Sequence, residues 1–223
     1  MDERPPKSYL HWDEKTITDL SDDNIDALYG RGYVFTRKGK GVMQQTRSVR
    51  IDLSKFELSS ENRRILKRVG EISLQPVKDI LKDYDWSLGK LAKDFYEERF
   101  GKGLMSAAKV KEMLTEPAKS NFNLLLSYDL KGKICGYSIT YSNRDILHYS
   151  YPFYDADVAP KDMGLGMMIL AILYAKETGK RYVYLGSLQR PSDTYKLQFS
   201  GLQWFDGKAW SDDIDMAKGV LTN

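Results

Sequence analysis

Cysteine is almost absent from this chain, and several kinds of site are excluded with it. One cysteine, Cys135, occurs in 223 residues, so neither an intramolecular disulfide nor a cysteine-based metal cluster can form. Only two histidines are present. No Ser/His/Asp triad stands out, and a metal site would lack ligands. The composition therefore predicts no metal centre.

Long apolar runs are also lacking. The longest, from Met163 to Ala175, is shorter than the roughly 20 residues that a membrane-spanning helix requires. The first residues, MDERPPKSYL, are charged and contain no apolar core, which does not fit a secretory signal peptide. Together with the shortage of cysteine, these features predict a cytoplasmic protein without a membrane partner.

The charge is distributed unevenly, although its net value is only +3. Residues 1–30 hold eight Asp/Glu against three Lys/Arg, whereas residues 31–70 hold eleven Lys/Arg against three Asp/Glu. This asymmetry suggests a polyanionic partner for one face of the protein. A merely solvated basic surface would give the same composition.

Helix and strand patterns alternate along the chain and predict a mixed α/β (α+β) fold. Helices are expected at 21–30, 59–70, 85–101 and 106–117, and hairpins at 32–54 and 122–142. A strand–helix–strand pattern over 146–187 predicts one right-handed βαβ unit. Closing strands are expected at 195–210, followed by a loop or a loose terminus.

The same patterns suggest two parts. Residues 1–120 carry the basic hairpin and a basic helix, and residues 121–223 carry the βαβ unit and most strands. The chain has neither a low-complexity linker nor a short-period repeat. We expect the two parts to form one compact unit.

A glycine-rich turn precedes the most apolar helix pattern. Gly164 and Gly166 follow Lys161 at the predicted C-terminal end of a strand, where open α/β sheets bind ligands. The spacing resembles the pyrophosphate loop of GNAT acyltransferases, Gln/Arg-x-x-Gly-x-Gly/Ala, in which backbone N–H groups meet an anion at a helix start. A tight turn into a core helix explains the glycines equally well.

The segment SSENRRILKR predicts a strongly basic helix. On a helical period Arg63 lies over Lys67 and Arg64 lies over Arg68, and each like-charge pair destabilises an isolated helix by about 0.2–0.5 kcal/mol. Basic stripes beside an apolar seam suit a nucleic-acid backbone, whose phosphates they would neutralise. The alternative is a solvated surface.

The segment HYSYPFYDADV is rich in aromatic residues. Aromatic side chains near a sheet opening can stack a base, but they are more often part of the core. His148 alternates with apolar neighbours, and we interpret it as structural. The aromatic residues concerned are Tyr149, Tyr151, Phe153 and Tyr154.

The order of these motifs resembles that of the aminoacyl-tRNA–protein transferases: the arginyl-tRNA–protein transferases and their short bacterial leucyl-transferring relatives. The matching segments are 32–39 (a Gly-Phe-Arg-Arg-Ser-Gly-like start), 47–51 (an Arg-leading strand), 60–68 (Ser-x-x-x-Arg-Arg-x-Leu-x-Arg), 153–158 (Tyr-Asp-Pro-Asp, with Ala156 in place of the Pro), YVYLGS (Tyr-Leu-Gly) and TYKLQF (Tyr-Lys-x-x-Phe). The resemblance extends from about residue 19 to residue 205. The cysteine cluster usual in that family is missing.

This resemblance implies a GNAT-like fold and a specific transfer reaction. An amino acid of the Arg or Leu class would pass from charged tRNA to the N-terminal amine of a protein, typically one that starts with an acidic residue, and would mark that protein for degradation. The partners would be aminoacyl-tRNA and an acceptor protein, with no cofactor besides the charged tRNA as co-substrate. The amino acid transferred and the oligomeric state stay open.

The aminoacyl ester is already activated, so the reaction needs positioning and oxyanion stabilisation rather than a nucleophile. We expect Asp155 to orient the acceptor amine and Tyr195 to donate to the developing charge or to relay a proton. Substrate binding is assigned to Asp157, Lys161, Gly164, Gly166 and Lys196, and tRNA binding to Arg37, Arg47, Arg63, Arg64, Lys67 and Arg68. Each of these residues also has a structural interpretation, above all Asp155 as a turn former.

Two other functions stay open. An acyl-CoA-dependent GNAT N-acyltransferase, with coenzyme A as cofactor, is favoured by the glycine turn alone. A non-catalytic tRNA-binding relative would keep the basic helix but not the transfer reaction.

Overall fold

The computed structural model describes residues 9–222. Residues 1–8 lie outside the described residues. They make up most of the segment MDERPPKSYL, on which the prediction about a signal peptide rests. Within 9–222, no helix combines the length and the apolar composition that crossing a membrane demands.

Two β-sheets organise the described chain. The strands are β1 (Asp13–Thr16), β2 (Tyr33–Phe35), β3 (Val42–Gln45), β4 (Ser48–Asp52), β5 (Ile72–Pro76), β6 (Leu124–Leu130), β7 (Lys133–Ser142), β8 (Ile146–Tyr154), β9 (Tyr182–Ser187), β10 (Leu202–Phe205) and β11 (Trp210–Ser211). The small sheet has the order β1-β3-β2, and the large sheet has the order β11-β10-β4-β9-β8-β7-β6-β5. Neighbouring strands are antiparallel except β8 and β9, which are parallel.

Helices cover both faces of the large sheet. They are α1 (Asp22–Tyr29), α2 (Ser60–Val69), α3 (Ile80–Asp83), α4 (Trp86–Phe100), α5 (Ala107–Thr115), α6 (Met163–Glu177), α7 (Ile214–Thr222) and the 3₁₀ helix η1 (Pro191–Gln198). Local capping fixes several starts. Ser59 Oγ accepts from Asn62 N at 3.0 Å, and Asn62 Oδ1 accepts from Ser59 N at 3.2 Å, a reciprocal capping box.

The large sheet separates two apolar cores. Helices α2, α6 and α7 pack on one face, around residues such as Ile65, Met167 and Leu221. Helices α1, α4 and α5 and the small sheet pack on the other, around residues such as Tyr29 and Phe95. This two-layer covering is what a mixed sheet with two apolar faces requires.

The predicted mixed α/β (α+β) fold is confirmed. β8, α6 and β9 form the predicted βαβ unit, and the rest of the large sheet is antiparallel. The predicted helices and the hairpin at 122–142 form close to their expected bounds. The hairpin predicted over 32–54 is shorter: β2 and β3 pair with each other, whereas β4 leaves for the large sheet. Strands β4 and β5, which precede residue 120, share one sheet with β6 to β10, which follow it.

Two local predictions were wrong. The tail after Trp210 forms α7, which buries Ala217 and Leu221 against the α6 face of the sheet. Residues 195–198 lie in η1 rather than in a strand. In both segments, packing against a surface made by distant residues decides the conformation, and such packing overrides local propensity.

Helix α2 crosses the start of α6 at very short range. A Cβ built on Gly166 would lie 2.8 Å from Cγ2 of Val69, so glycine is needed there for close helix packing. The Arg68 guanidinium adds an ion pair, with Nη2 at 2.7 Å from the carboxylate of Asp162, the residue that precedes α6. A Cβ on Gly164 would instead meet Tyr154 at an ordinary 3.6 Å.

The helix η1 is attached to the end of β9 by a buried lysine. Lys196 is 8% exposed, and its ammonium donates to the Ser187 carbonyl at 2.7 Å. Asp193 lies 3.2 Å from the same ammonium. Burial lowers the pKa of Lys196, and the Asp193 carboxylate opposes that shift.

We predict opposite effects for alanine at the two glycines of the α6 turn. Gly166→Ala should destabilise the fold by about 1–3 kcal/mol, because the new methyl group overpacks against Val69. Gly164→Ala should stabilise it by up to about 1 kcal/mol, because alanine favours a helix and has room. Chemical denaturation of both variants measures the difference. Equal effects would contradict the assignment of Gly166 to helix packing.

We also predict that Lys196→Met destabilises the protein by about 3–5 kcal/mol, because the substitution leaves Asp193 enclosed without its partner. Lys218→Met is the matched control, since its ion pair with Asp215 is largely exposed and should contribute less than about 1 kcal/mol. Thermal unfolding distinguishes the two. A Lys196→Met protein as stable as the control would show that the buried pair does not hold η1.

Candidate functional site

The parallel pairing between β8 and β9 stops early and leaves the large sheet open. Ile146 pairs with Tyr182, and the last pair joins His148 to Tyr184. Beyond it, residues 149–154 of β8 and 185–187 of β9 run on without pairing to each other. We call this gap the β8–β9 opening. It lies at the C-terminal ends of both strands, where open α/β sheets bind ligands.

A β-bulge in β8 shapes one side of the opening. Tyr149 pairs with Thr140 and Tyr151 pairs with Ile139, so Ser150 is an extra residue on β8. Across the bulge the side chains change faces: Tyr149 packs in the α6 core, whereas Tyr151 packs against the opposite core. The strand therefore presents tyrosines towards both faces of the sheet at the opening.

Tyrosine hydroxyls from three elements gather there. The Tyr96 hydroxyl of α4 lies within electrostatic range of those of Tyr151 and Tyr195 and of the Arg37 guanidinium. Burial raises the pKa of Tyr151 and of Tyr195 to about 12. Both therefore stay protonated at neutral pH and can donate a hydrogen bond. Tyr195, predicted as a catalytic residue, is 41% exposed.

Tyr149 carries an orphan hydroxyl. Its side chain is 2% exposed, and its hydroxyl has no hydrogen-bond partner within the described residues. Leaving a buried hydroxyl unpaired costs about 1–3 kcal/mol. The other buried side-chain atom of this kind, Asn62 Nδ2, lies at the start of α2.

Three arginines surround the same region. The Arg37 guanidinium lies 5.9 Å from the Tyr151 ring, and that of Arg190 lies 5.4 Å from the Phe100 ring. Arg99 Nη1 donates to the Tyr154 hydroxyl at 2.8 Å. None of the three forms a salt bridge with a carboxylate of residues 9–222. Their positive charge is available to an anionic group.

An acidic cavity of about 290 Å³ lies beside the end of β8. Its wall includes Asp94 and Glu98 of α4 together with Asp155 and Asp157, which follow β8. Asp155 also shapes the turn, because its Oδ1 accepts from Asp157 N at 3.1 Å. The predicted catalytic carboxylate is thus both a turn former and part of a cavity wall.

The glycine turn is less open than the sequence suggests. The space beside Gly166 is filled by Val69, and the carboxylate of Asp162 is bound by Arg68 at the start of α6. Gly164 faces Tyr154, and Lys161 is exposed beside it. Lys196 is turned inward, as described above. Of the five predicted substrate-binding residues, the structure leaves Asp157 and Lys161 exposed.

The predicted tRNA-binding residues do not form one patch. Arg63, Arg64 and Lys67 are exposed on α2, and Arg64 pairs with Glu61 at 3.0 Å. Arg68 binds Asp162 instead. Arg47 is half-buried and donates to the Val220 carbonyl of α7 at 3.1 Å, whereas Arg37 lies at the opening.

Several candidate residues were missed by the sequence interpretation. Tyr96, Arg99 and Arg190 lie on α4 and before η1, and only the fold brings them to the opening. The bulge that separates the orientations of Tyr149 and Tyr151 has no recognisable pattern in the sequence. Within 9–222, no group of three or more His, Cys, Asp or Glu side chains is arranged to hold a metal ion.

Comparison with known proteins gives consistent matches. Residues 89–206 match the family described as "Arginine-tRNA-protein transferase, C terminus". A protein of Ruegeria pomeroyi named aspartate/glutamate leucyltransferase is 30% identical over 171 residues, which cover 75% of this chain and 62% of that protein. A protein of the same name from Maricaulis maris is 25% identical over 206 residues, which cover 86% of this chain and 78% of that protein.

A solved structure supports the fold alone. The C-terminal domain of a protein described as a lysylphosphatidylglycerol synthetase, from Agrobacterium fabrum, has a TM-score of 0.50 at 15% identity, over 78% of this chain and 54% of that one. The segment that matches the family model includes Tyr96, β8, α6, β9 and η1, and hence most of the β8–β9 opening. Because this segment makes up more than half of the chain, the chain belongs to the arginine-tRNA-protein transferase family.

Proposed function

We propose that the protein transfers an amino acid from charged tRNA to the N-terminal amine of an acceptor protein, and that the reaction takes place in the β8–β9 opening. The observation that carries this proposal is the convergence, at one opening in the family-matching segment, of protonated tyrosines and of arginines without a salt bridge to any carboxylate of residues 9–222. The names of the relatives favour leucine as the transferred residue and aspartate or glutamate as the acceptor residue. The product would carry a new N-terminal residue that marks it for degradation.

The chemistry suits side chains that position and donate. The neutral acceptor amine attacks the ester carbonyl carbon, a C–N bond forms, and the bond to the ribose oxygen of the tRNA breaks. The proton lost by the amine must reach that ribose oxygen. Tyr195 is the candidate relay, because its phenol stays protonated at neutral pH and is accessible. The α-amine has an ordinary pKa near 8, so a strong base is not required.

The acceptor would lie between opposite charges at the end of β8. Arg99 is held by the Tyr154 hydroxyl, and Asp155 follows directly in sequence. A protonated N-terminal amine is attracted to the acidic cavity that contains Asp155, and an acidic first side chain is attracted to Arg99. This arrangement selects an acceptor whose first residue carries both a positive α-amine and a negative side chain.

The tRNA would lie across α2. Arg63, Arg64 and Lys67 are exposed on the helix that packs against the start of α6. The 3′ end of the tRNA could then reach the β8–β9 opening, while the basic residues of α2 neutralise backbone phosphates of the tRNA. The exposed charges contribute mainly affinity and encounter rate, and they carry no information on which amino acid is attached.

The structure weighs against the coenzyme A alternative. A pyrophosphate at the start of α6 would face the Asp162 carboxylate, which is already bound to Arg68. The close contact of Gly166 with Val69 removes part of the space that such a group needs. We therefore retain the tRNA-dependent reaction.

We predict leucyl transfer to a peptide that starts with Glu. The peptide is offered with a full set of charged tRNAs, and mass spectrometry identifies the residue added. Arg99→Gln should lower kcat/KM for the Glu peptide about tenfold or more and should affect a Gln-starting peptide less, because only the former offers a carboxylate. Arg181→Gln, which removes an exposed charge at the distant start of β9, is the matched control. No addition from any tRNA by the wild-type protein would contradict the proposed function.

We also predict that the combined variant Arg63→Ala/Arg64→Ala/Lys67→Ala binds tRNA with a weaker salt dependence. The slope of log K against log[salt] should fall by about 2–3, because each lost phosphate contact removes roughly 0.7–0.9 from it. The control variant Lys109→Ala/Lys119→Ala/Lys218→Ala changes the net charge equally but removes lysines that lie outside α2. Equal slopes for the two variants would show that α2 is not the tRNA surface.

A further inference from the structure

We propose that Tyr149 is a catalytic hydrogen-bond donor, whose hydroxyl meets the carbonyl oxygen of the aminoacyl ester in the β8–β9 opening. This inference rests on the proposed function and adds a group to its active site. The sequence interpretation left Tyr149 among aromatic residues that either stack a base or fill the core.

The Tyr149 hydroxyl is unpaired where other buried tyrosines are not. Other fully buried tyrosines of this fold have partners: the Tyr29 hydroxyl bonds to His148 Nδ1 at 2.9 Å, and the Tyr128 hydroxyl bonds to Ser138 Oγ at 3.2 Å. The Tyr149 hydroxyl is equally buried and has no such partner within residues 9–222, because its neighbour, the Tyr128 hydroxyl, bonds to Ser138 Oγ instead. Buried polar groups are almost always hydrogen-bonded, so an exception calls for a partner that arrives with a ligand.

Tyr149 lies where the large sheet opens. Tyr149 is the first residue of β8 after the parallel pairing with β9 ends, and the bulge at Ser150 follows it directly. The residue therefore lies at the inner end of the β8–β9 opening. A bulge at that point fixes the direction of the side chain independently of the rest of the strand.

The Tyr149 hydroxyl lies among other phenols. It lies beside the Tyr128 hydroxyl of β6 and within electrostatic range of the hydroxyls of Tyr195 and Tyr96, which belong to η1 and α4. Burial raises the pKa of Tyr149 well above its ordinary value, so the group remains a donor at any physiological pH. Tyr195 is 41% exposed and Tyr149 is 2% exposed, so we assign them to the mouth and the floor of the opening.

Tyr149 and Tyr195 have different roles in the transfer reaction. The acceptor nitrogen attacks the carbonyl carbon, and the carbonyl electron pair moves onto oxygen, where the Tyr149 O–H stabilises the negative charge. The intermediate collapses as the carbonyl re-forms and the bond to the ribose oxygen breaks. The ribose oxygen takes the proton released by the amine, through Tyr195. Tyr149 itself donates a hydrogen bond and keeps its proton.

The test compares Tyr149→Phe with Tyr29→Phe in the complete chain, since Tyr29 is equally buried but lies in the opposite core. Tyr149→Phe should lower kcat for transfer to a Glu-starting peptide by about 10²–10³-fold, as the loss of one oxyanion donor does, with little change in KM for either substrate. Its melting temperature should stay equal or rise, because no hydrogen bond within the protein is lost. Tyr29→Phe should do the reverse: it loses the bond to His148, so it should lower the melting temperature and keep kcat within about twofold.

Three outcomes would contradict this role of Tyr149. If the wild-type protein transfers and Tyr149→Phe keeps kcat within twofold of it, Tyr149 is not a donor to the reaction, and this inference alone fails. A lower melting temperature together with unchanged kcat would assign Tyr149 to the core. A wild-type protein that transfers from no charged tRNA would overturn the proposed function, and the inference with it.

Discussion

The short parallel ladder between β8 and β9 is the constraint on which the site depends. It holds the two strands together from Ile146 to His148 and then ends, while β8 remains paired with β7 and β9 with β4. The strands cannot close the gap, because each is fixed to its other neighbour. Backbone and side-chain polar groups exposed in such a gap need partners, which favours ligand binding there before any particular residue is considered. The tyrosines of β8, α4 and η1 are placed by this gap rather than by their own sequence context.

Around the opening, several residues that resemble active-site residues in the sequence instead hold the structure together. Lys196 attaches η1 to the end of β9 and thereby fixes the position of its neighbour Tyr195. Arg68 and Gly166 fix α2 against the start of α6. A reacting geometry must be held within a fraction of an ångström, so this supporting shell is as necessary as the groups it positions. Charged residues beside a site therefore divide into those that face substrate and those that hold the site together.

The same division explains how much of the fold and of the site could be predicted from the sequence. Capped helices and hairpins were predictable because their signals are local: Ser59 and Asn62 bond within one turn, and glycines mark the turns. Tyr195 was identified through the family motif, and its exposure agrees with a role at the site. The pairing of Arg68 with Asp162 joins residues 94 positions apart, which no local pattern encodes. Lys196 bonds to the nearer Asp193 and Ser187, but its inward turn follows from the way η1 folds back on the end of β9. The bulge in β8 and the conversion of the acidic tail into α7 have the same non-local origin, and the orphan hydroxyl of Tyr149 appears only when its neighbours are in place.

Two sets of positive charge follow from this architecture, and they differ in how they are held. The exposed cations of α2 are solvated, so they act on a polyanion over about one Debye length, roughly 8–10 Å at physiological salt, and are weakened as salt rises. Arg99 and Arg190 are also exposed, but each guanidinium lies against an aromatic ring, and Arg99 is positioned by its bond to the Tyr154 hydroxyl. The first set suits the capture of a large nucleic acid whatever it carries, and the second suits discrimination between acceptor side chains that differ by one charge. Because the two sets lie on opposite sides of the βαβ unit's opening, on α2 and at the end of α4, a donor and an acceptor can approach it without competing for the same charges.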